Sequence, residues 1–129
     1  MNLNLVQYLR SKPVIALVGA TNDRTKYGNI ILRDLSSRGF EVRPVNPRAE
    51  SVEELPSYPD LKTANHDGKI GLLVYVIPPP LTLGSLKEAL ELGLRKVWVQ
   101  PGAADDAVRD FLEKNNFEYL SDACVMIEA

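Results

Sequence analysis

The stretch Pro13-Val14-Ile15-Ala16-Leu17-Val18-Gly19-Ala20-Thr21-Asn22-Asp23-Arg24-Thr25-Lys26-Tyr27-Gly28-Asn29 decides the fold class. Its first seven residues form a continuous apolar run ending in glycine, the pattern of a strand buried on both faces. A polar loop follows and leads straight into a helical pattern. There Ile31 and Leu35 stand four apart with Leu32 beside them, and Gly39 is the expected stop.

The same alternation continues outward. Residues 40–46 predict a second strand, in which Pro44 signals a weakly paired stretch or a bulge. Residues 70–77, 96–100 and 117–120 predict three more. Leu83, Leu86 and Leu90 predict a helix beginning near Leu81, with Thr82 as N-cap and Gly93 as stop. Ala104, Val108, Phe111 and Leu112 predict another, with Asp105 and Asp106 in its favourable first turn. Leu5 and Leu9 mark a short leading helix. Residues 47–67, which contain Pro56 and Pro59, read as a loop with a short strand near Tyr58 and one helical turn. Strands alternating with helices of this length predict an α/β fold, a doubly wound parallel sheet with helices on both faces.

The chain has 129 residues, a length that suits one domain spanning 1–129. With 15 Lys and Arg against 17 Asp and Glu, its formal net charge is −2, which does not favour a nucleic-acid partner. One cysteine makes no internal disulfide and no thiolate zinc site. The N-terminus lacks a basic region followed by an apolar one, and the longest apolar run is far too short to span a bilayer. A cytoplasmic location without membrane contact is expected.

In an open parallel sheet, ligands bind beyond the carboxyl ends of the strands. Gly19 stands at such an end, where backbone N–H groups can approach a diphosphate, and the next helix adds free donors and a positive dipole end. Thr21 contributes a hydroxyl and Lys26 a cation. Gly28 starts the helix where a side chain is expected to intrude on the ligand, so Gly28→Val is expected to weaken binding more than stability. The spacing is neither the G-x-G-x-x-G fingerprint nor a P-loop, and the alternative is an ordinary strand–loop–helix turn.

Further candidates stand at the other strand ends. Asn46-Pro47-Arg48 ends the second strand where a domain preferring NAD usually has an acidic residue. Arg48 suits a phosphorylated ribose instead, as in NADP or coenzyme A. The alternative is a turn with a solvated arginine. Pro78 and Pro79 lack N–H groups, and Ile77-Pro78-Pro79 offers a rigid apolar edge for adenine or pantetheine. Gln100-Pro101-Gly102 lies on the same edge, to contact ligand or to turn the chain. His66 reads as a loop residue, Trp98 as core and Cys124 as a small buried hydrophobe, with a reactive thiol as the minor alternative. Asp105, Asp106, Asp110 and Glu113 read as a solvated helix face. No catalytic or metal constellation can be assembled from these residues.

Taken in order, Ile15-Ala16-Leu17-Val18-Gly19-Ala20-Thr21, Lys26-Tyr27-Gly28-Asn29, Val45-Asn46-Pro47, Val76-Ile77-Pro78-Pro79 and Val97-Trp98-Val99-Gln100-Pro101-Gly102 resemble the small CoA-binding domain proteins. These are Rossmann-like domains similar to the N-terminal part of the succinyl-CoA synthetase alpha subunit. The resemblance implies six strands in the order 3-2-1-4-5-6. It implies that Gly19, Ala20 and Thr21 contact the diphosphate, with Lys26, Tyr27 and Gly28 closing over it. Asn46, Pro47 and Arg48 would lie by the phosphorylated ribose and adenine, and Ile77, Pro78 and Pro79 by the adenosine or pantetheine arm.

The expected function is binding of coenzyme A or an acyl-CoA through its 3′-phospho-ADP portion, by a non-catalytic carrier, sensor or partner subunit. The chain ends where a second, catalytic domain would begin in the synthetase, so ligase activity is not expected of it. The alternatives are an NADP-dependent oxidoreductase or dinucleotide redox sensor, and a regulatory or structural subunit with a vestigial cleft.

Overall fold

A computed structural model describes residues 2–129. Strand β1 (Val14–Val18) pairs in parallel with β2 (Val42–Val45) on one side and β5 (Ile70–Tyr75) on the other. Strands β6 (Lys96–Val99) and β7 (Glu118–Ser121) extend the sheet, giving the order β2-β1-β5-β6-β7. Successive side chains of a strand point to opposite faces. On β1, Ile15 and Leu17 enter one core and Ala16 and Val18 the other.

The first core is covered by α1 (Leu3–Arg10), α2 (Tyr27–Ser37) and α6 (Val125–Glu128), through Leu5, Leu9, Ile31, Leu35 and Val125. The second is covered by α3 (Leu61–Ala64), α4 (Pro79–Leu92) and α5 (Asp106–Lys114), through Leu61, Leu86, Val108 and Leu112. Trp98 is fully buried and donates from Nε1 to the Ala123 carbonyl at 2.8 Å, which ties β6 to the C-terminal segment. The doubly wound α/β architecture is therefore as expected.

The strand order differs in one respect. The third strand of the expected 3-2-1-4-5-6 order is reduced to a single parallel bridge between Val45 and Tyr58. Tyr58 N donates to the Pro44 carbonyl and Asn46 N to the Tyr58 carbonyl, both at 2.9 Å. On the N-terminal side, continued pairing would need the N–H groups of Pro44 and Pro56, which have none, so the pairing cannot propagate there. Pro44 itself forms no bulge. Its carbonyl faces Tyr58, so its missing N–H falls on that sparsely bonded outer side.

Three local expectations are also corrected. Helix α4 begins at Pro79 with Pro78 as cap; Thr82 lies inside it, fully buried, with its hydroxyl donating to the Ile77 carbonyl at 3.1 Å. Prolines at the first helical positions need no donor and have the right φ, which allows the earlier start. Residues 47–67 hold an unexpected hairpin, β3 (Ser51–Val52) with β4 (Leu55–Pro56). Its turn places Glu53 and Glu54 at positive φ, a conformation that glutamate gives no reason to expect. Asn22 holds it there, donating from Nδ2 to the Ser51 carbonyl and accepting from Glu53 N.

The edge near Tyr58 is anchored by Arg43. Its guanidinium meets both oxygens of Asp67 at 2.8 Å, Glu41 at 2.9 Å and the Ala64 carbonyl at 2.9 Å. The Arg43 hydrogen bonds hold the Asp67 carboxyl far below the usual carboxylate range. Because the folded value is depressed, Asp67 stabilises the fold fully above the unfolded value of about 3.9, and that contribution is lost as pH falls towards the folded value. Asp67→Asn is expected to melt earlier than the parent at pH 7, with the gap narrowing below about pH 4. Melting curves across that range check it; a gap independent of pH would contradict it.

Candidate functional site

The site is built where the chain leaves β1. Gly19 takes φ +108°, and a Cβ there would lie 2.5 Å from Ile77 Cγ2 and 2.9 Å from Val76 Cγ1. Only glycine combines that backbone conformation with so close an approach by the chain leaving β5. Its N–H donates to the Val45 carbonyl at 3.2 Å, so three strand ends meet at one residue.

Residues 20–26 then fold on themselves. Asp23 Oδ1 accepts from Thr25 N at 3.0 Å and from Thr25 Oγ1 at 2.7 Å, while Asp23 N donates to Thr21 Oγ1 at 3.2 Å. The Thr25 hydroxyl and N–H hold the Asp23 carboxyl below its ordinary value. Asn29, fully buried in the first turn of α2, donates to the Thr21 carbonyl at 2.8 Å and accepts from Arg33 Nε at 2.6 Å. Asn22 and Asn29 thus brace the loop. An asparagine in a helix pattern carries no signal of that role, and only the folded contacts display it.

A cleft of about 660 Å3 opens over this loop, lined by Gly19, Thr21, Lys26, Tyr27, Gly28, Ile77, Pro78, Pro79, Pro101 and Gly102. Those ten expected residues come together there; Thr25, Val76 and Ala103, not foreseen, line it too. A second lobe of about 580 Å3 shares Gly19, Thr21, Lys26 and Ile77 with the first. It adds Ala20, Asn46, Pro47 and Arg48, together with Asp60, Leu81, Ser85 and Glu88, which sequence reasoning missed. The two lobes make one groove across the strand ends.

Two helices start on this groove, and they differ chemically. At α2, Asn29 N and Ile30 N both donate to the Lys26 carbonyl, leaving the N–H groups of Tyr27 and Gly28 without acceptors among the described residues. At α4, residues 78–80 are prolines, and Leu81 N and Thr82 N both donate to the Pro78 carbonyl. One helix start is therefore rich in donors and the other has none. An anion is favoured at α2 and an apolar group at α4.

Three assigned residues do something other than face a ligand with their side chains. Asn46 donates from Nδ2 to the Ala20 carbonyl at 2.9 Å and accepts from Arg48 N at 2.8 Å, fastening the second strand end to the loop. Gln100 is 4% exposed, and its Oε1 accepts from Val125 N at 2.8 Å, anchoring α6. Gly28 is buried, and a Cβ there would overlap the Gly19 carbonyl oxygen. The expectation that a Gly28 side chain meets the ligand is corrected: it meets β1's last peptide, so its first effect is on stability. Cys124 is half-buried rather than fully buried and lines a side cavity. His66 lies in the turn after α3, its ring 5.9 Å from that of Tyr58.

The cations of the groove are Lys26 and Arg48. Both are exposed, and neither forms an ion pair among the described residues. The carboxylates of the second lobe are committed to α3. Glu88 accepts from Leu61 N and Lys62 N, and Asp60 accepts from Thr63 N.

Residues 13–129 match the family described as CoA binding domain. The chain belongs to that family. Over 94 residues, 72% of its length, it is 31% identical to the alpha subunit of the ADP-forming acetate–CoA ligase II of Pyrococcus furiosus. It spans 20% of that subunit. A conserved hypothetical protein from Pyrococcus furiosus superposes with a TM-score of 0.86 at 46% identity, covering 91% of this chain and 99% of the other. The dinucleotide-forming acetyl-coenzyme A synthetase 1 of Candidatus Korarchaeum cryptofilum, solved with phosphate and ADP, superposes with a TM-score of 0.66 at 25% identity. That match covers 84% of this chain and 25% of the synthetase. A member of the CoA binding domain family thus aligns with a domain-sized part of ligase chains. No helix among the described residues is long and apolar enough to cross a membrane.

Proposed function

We propose that the protein binds coenzyme A or an acyl-CoA through the 3′-phospho-ADP portion, acting in the cytoplasm as a carrier, sensor or partner subunit that performs no chemistry of its own. The 129 residues serve as one binding domain. The observation that carries this reading is the contrast between the two helix starts across Gly19. The diphosphate sits at the donors of Tyr27 and Gly28, and Lys26 supplies the charge. The phosphorylated ribose lies toward Arg48, with adenine in the lobe between Asn46 and Leu81. The pantetheine arm runs over Pro78 and Pro101, where no polar group goes unpaired on its account.

The test is calorimetry and thermal melting with coenzyme A, acetyl-CoA, NAD, NADP and ADP. Ligands that bind the native state raise the midpoint with concentration. Coenzyme A is expected to give the largest shift. NADP binding more tightly would move the assignment to a dinucleotide protein, and no response to any of the five would mark the cleft as vestigial. Lys26→Ala is expected to weaken coenzyme A binding by about fivefold, since charges about 4 Å apart in water are worth about 1 kcal/mol. That loss should grow at low ionic strength. Equal affinity of parent and variant in 20–200 mM salt, roughly a threefold change in screening length, would remove Lys26 from the site.

A further inference from the structure

Beyond Tyr27 the groove has a side extension, a cavity of about 140 Å3 lined by Tyr27, Val76, Gln100, Pro101 and Cys124. Tyr27, Val76 and Pro101 also line the main cleft, so the cavity opens from it. Its lining holds one deeply buried polar group, the Gln100 amide. Because Oε1 accepts from Val125 N, the NH2 must be the end turned toward Cys124. Among the described residues Nε2 has one acceptor, the Cys124 sulfur at 3.5 Å. An amide NH2 carries two donors, and a thiol sulfur is a weak acceptor. A buried donor held only by sulfur gains free energy when an oxygen reaches it.

We infer that this cavity takes the acyl group of a short-chain acyl-CoA, with the thioester carbonyl accepting from Gln100 Nε2 and the alkyl tail lying against Val76, Tyr27 and Pro101. The inference rests on the coenzyme A reading above, because the pantetheine arm must deliver the thioester past Pro101. Size then selects the acyl group. At about 30 Å3 for each water-sized group, a volume of about 140 Å3 holds about four to five non-hydrogen atoms, the size of a butyryl group. A longer tail must turn back into water or displace α6, which the Gln100–Val125 bond holds in place.

The experiment is titration calorimetry of the full chain with coenzyme A and its acetyl, propionyl, butyryl and octanoyl thioesters. Affinity is expected to rise about fourfold for each buried carbon, which corresponds to ~0.8 kcal/mol. It should peak at butyryl and fall at octanoyl. Binding of coenzyme A with a flat series, or an affinity still rising at octanoyl, overturns the acyl cavity and leaves the coenzyme A reading intact. Failure to bind coenzyme A at all overturns both, and the first titration reveals it. Cys124→Leu fills the cavity and is expected to bring the butyryl-to-coenzyme A affinity ratio close to one; an unchanged ratio counts against the inference. Should Cys124→Leu not fold, the chain-length series on the parent decides alone.

Discussion

Gly28→Ala is expected to lower the melting temperature by roughly 10 °C and to weaken coenzyme A binding with it. The added Cβ falls on the Gly19 carbonyl oxygen. A backbone oxygen cannot swing aside as a side chain can, and the Gly19 peptide is held by its bond to Val45 and by contact with β5's exit. Helix α2 must therefore shift outward. Overpacking of this kind costs up to about 3 kcal/mol, and each kcal/mol moves the midpoint of a domain this size by roughly 3–5 °C. The same shift carries the free donors of Tyr27 and Gly28 away from the cleft, so affinity falls for a structural reason. Gly84→Ala is the control. It lies within α4, where a Cβ would meet nothing within 4 Å, and alanine there is expected to stabilise by about 0.5–1 kcal/mol through helix propensity. If the two variants melt together, the close approach of α2 to β1 is not what demands glycine at position 28.

Arg48→Ala is expected to erase most of a preference for coenzyme A over dephospho-coenzyme A that amounts to about tenfold or more in the parent. The guanidinium is exposed at the mouth of the second lobe, and its backbone is set by the bond from Arg48 N to Asn46 Oδ1. A bidentate contact to the 3′-phosphate contributes roughly 1.5–3 kcal/mol, and 1.4 kcal/mol is about tenfold in affinity. Affinity for dephospho-coenzyme A should change little, because that ligand offers Arg48 nothing to pair with. Asp60 and Glu88 line the same lobe, but their oxygens already receive the N–H groups of α3, so Arg48 is left to read the phosphate. Full retention of the preference by the variant would assign that role to Lys26.

The sequence by itself determined the sheet, its two covered faces and the edge on which the cleft lies. Apolar runs such as residues 13–19 and 70–77 read as strands buried on both sides, and the helical spacing between them points to parallel crossovers. The loops of the candidate site followed, because the rule that places ligands beyond the carboxyl ends of parallel strands depends on topology and not on side-chain detail.

What each residue does in those loops was decided by the tertiary structure. Gly28, Asn46 and Gln100 stand beside the cleft in sequence and in space, yet they spend their contacts on β1, on the Ala20 carbonyl and on α6. Asn22 ties the loop after β1 to Ser51, 29 residues on, and Asn29 ties it to the first turn of α2. The glutamates of the β3–β4 turn adopt positive φ because a two-residue hairpin turn requires it, and Asn22 accepts the N–H of the first of them. Thr82 looked like a cap until three prolines moved the helix start ahead of it. Periodicity reports which face of an element is apolar, a property of local spacing. A hydrogen-bond partner is chosen by distance in the folded chain, and a short polar side chain has several acceptors within reach until the fold removes all but one.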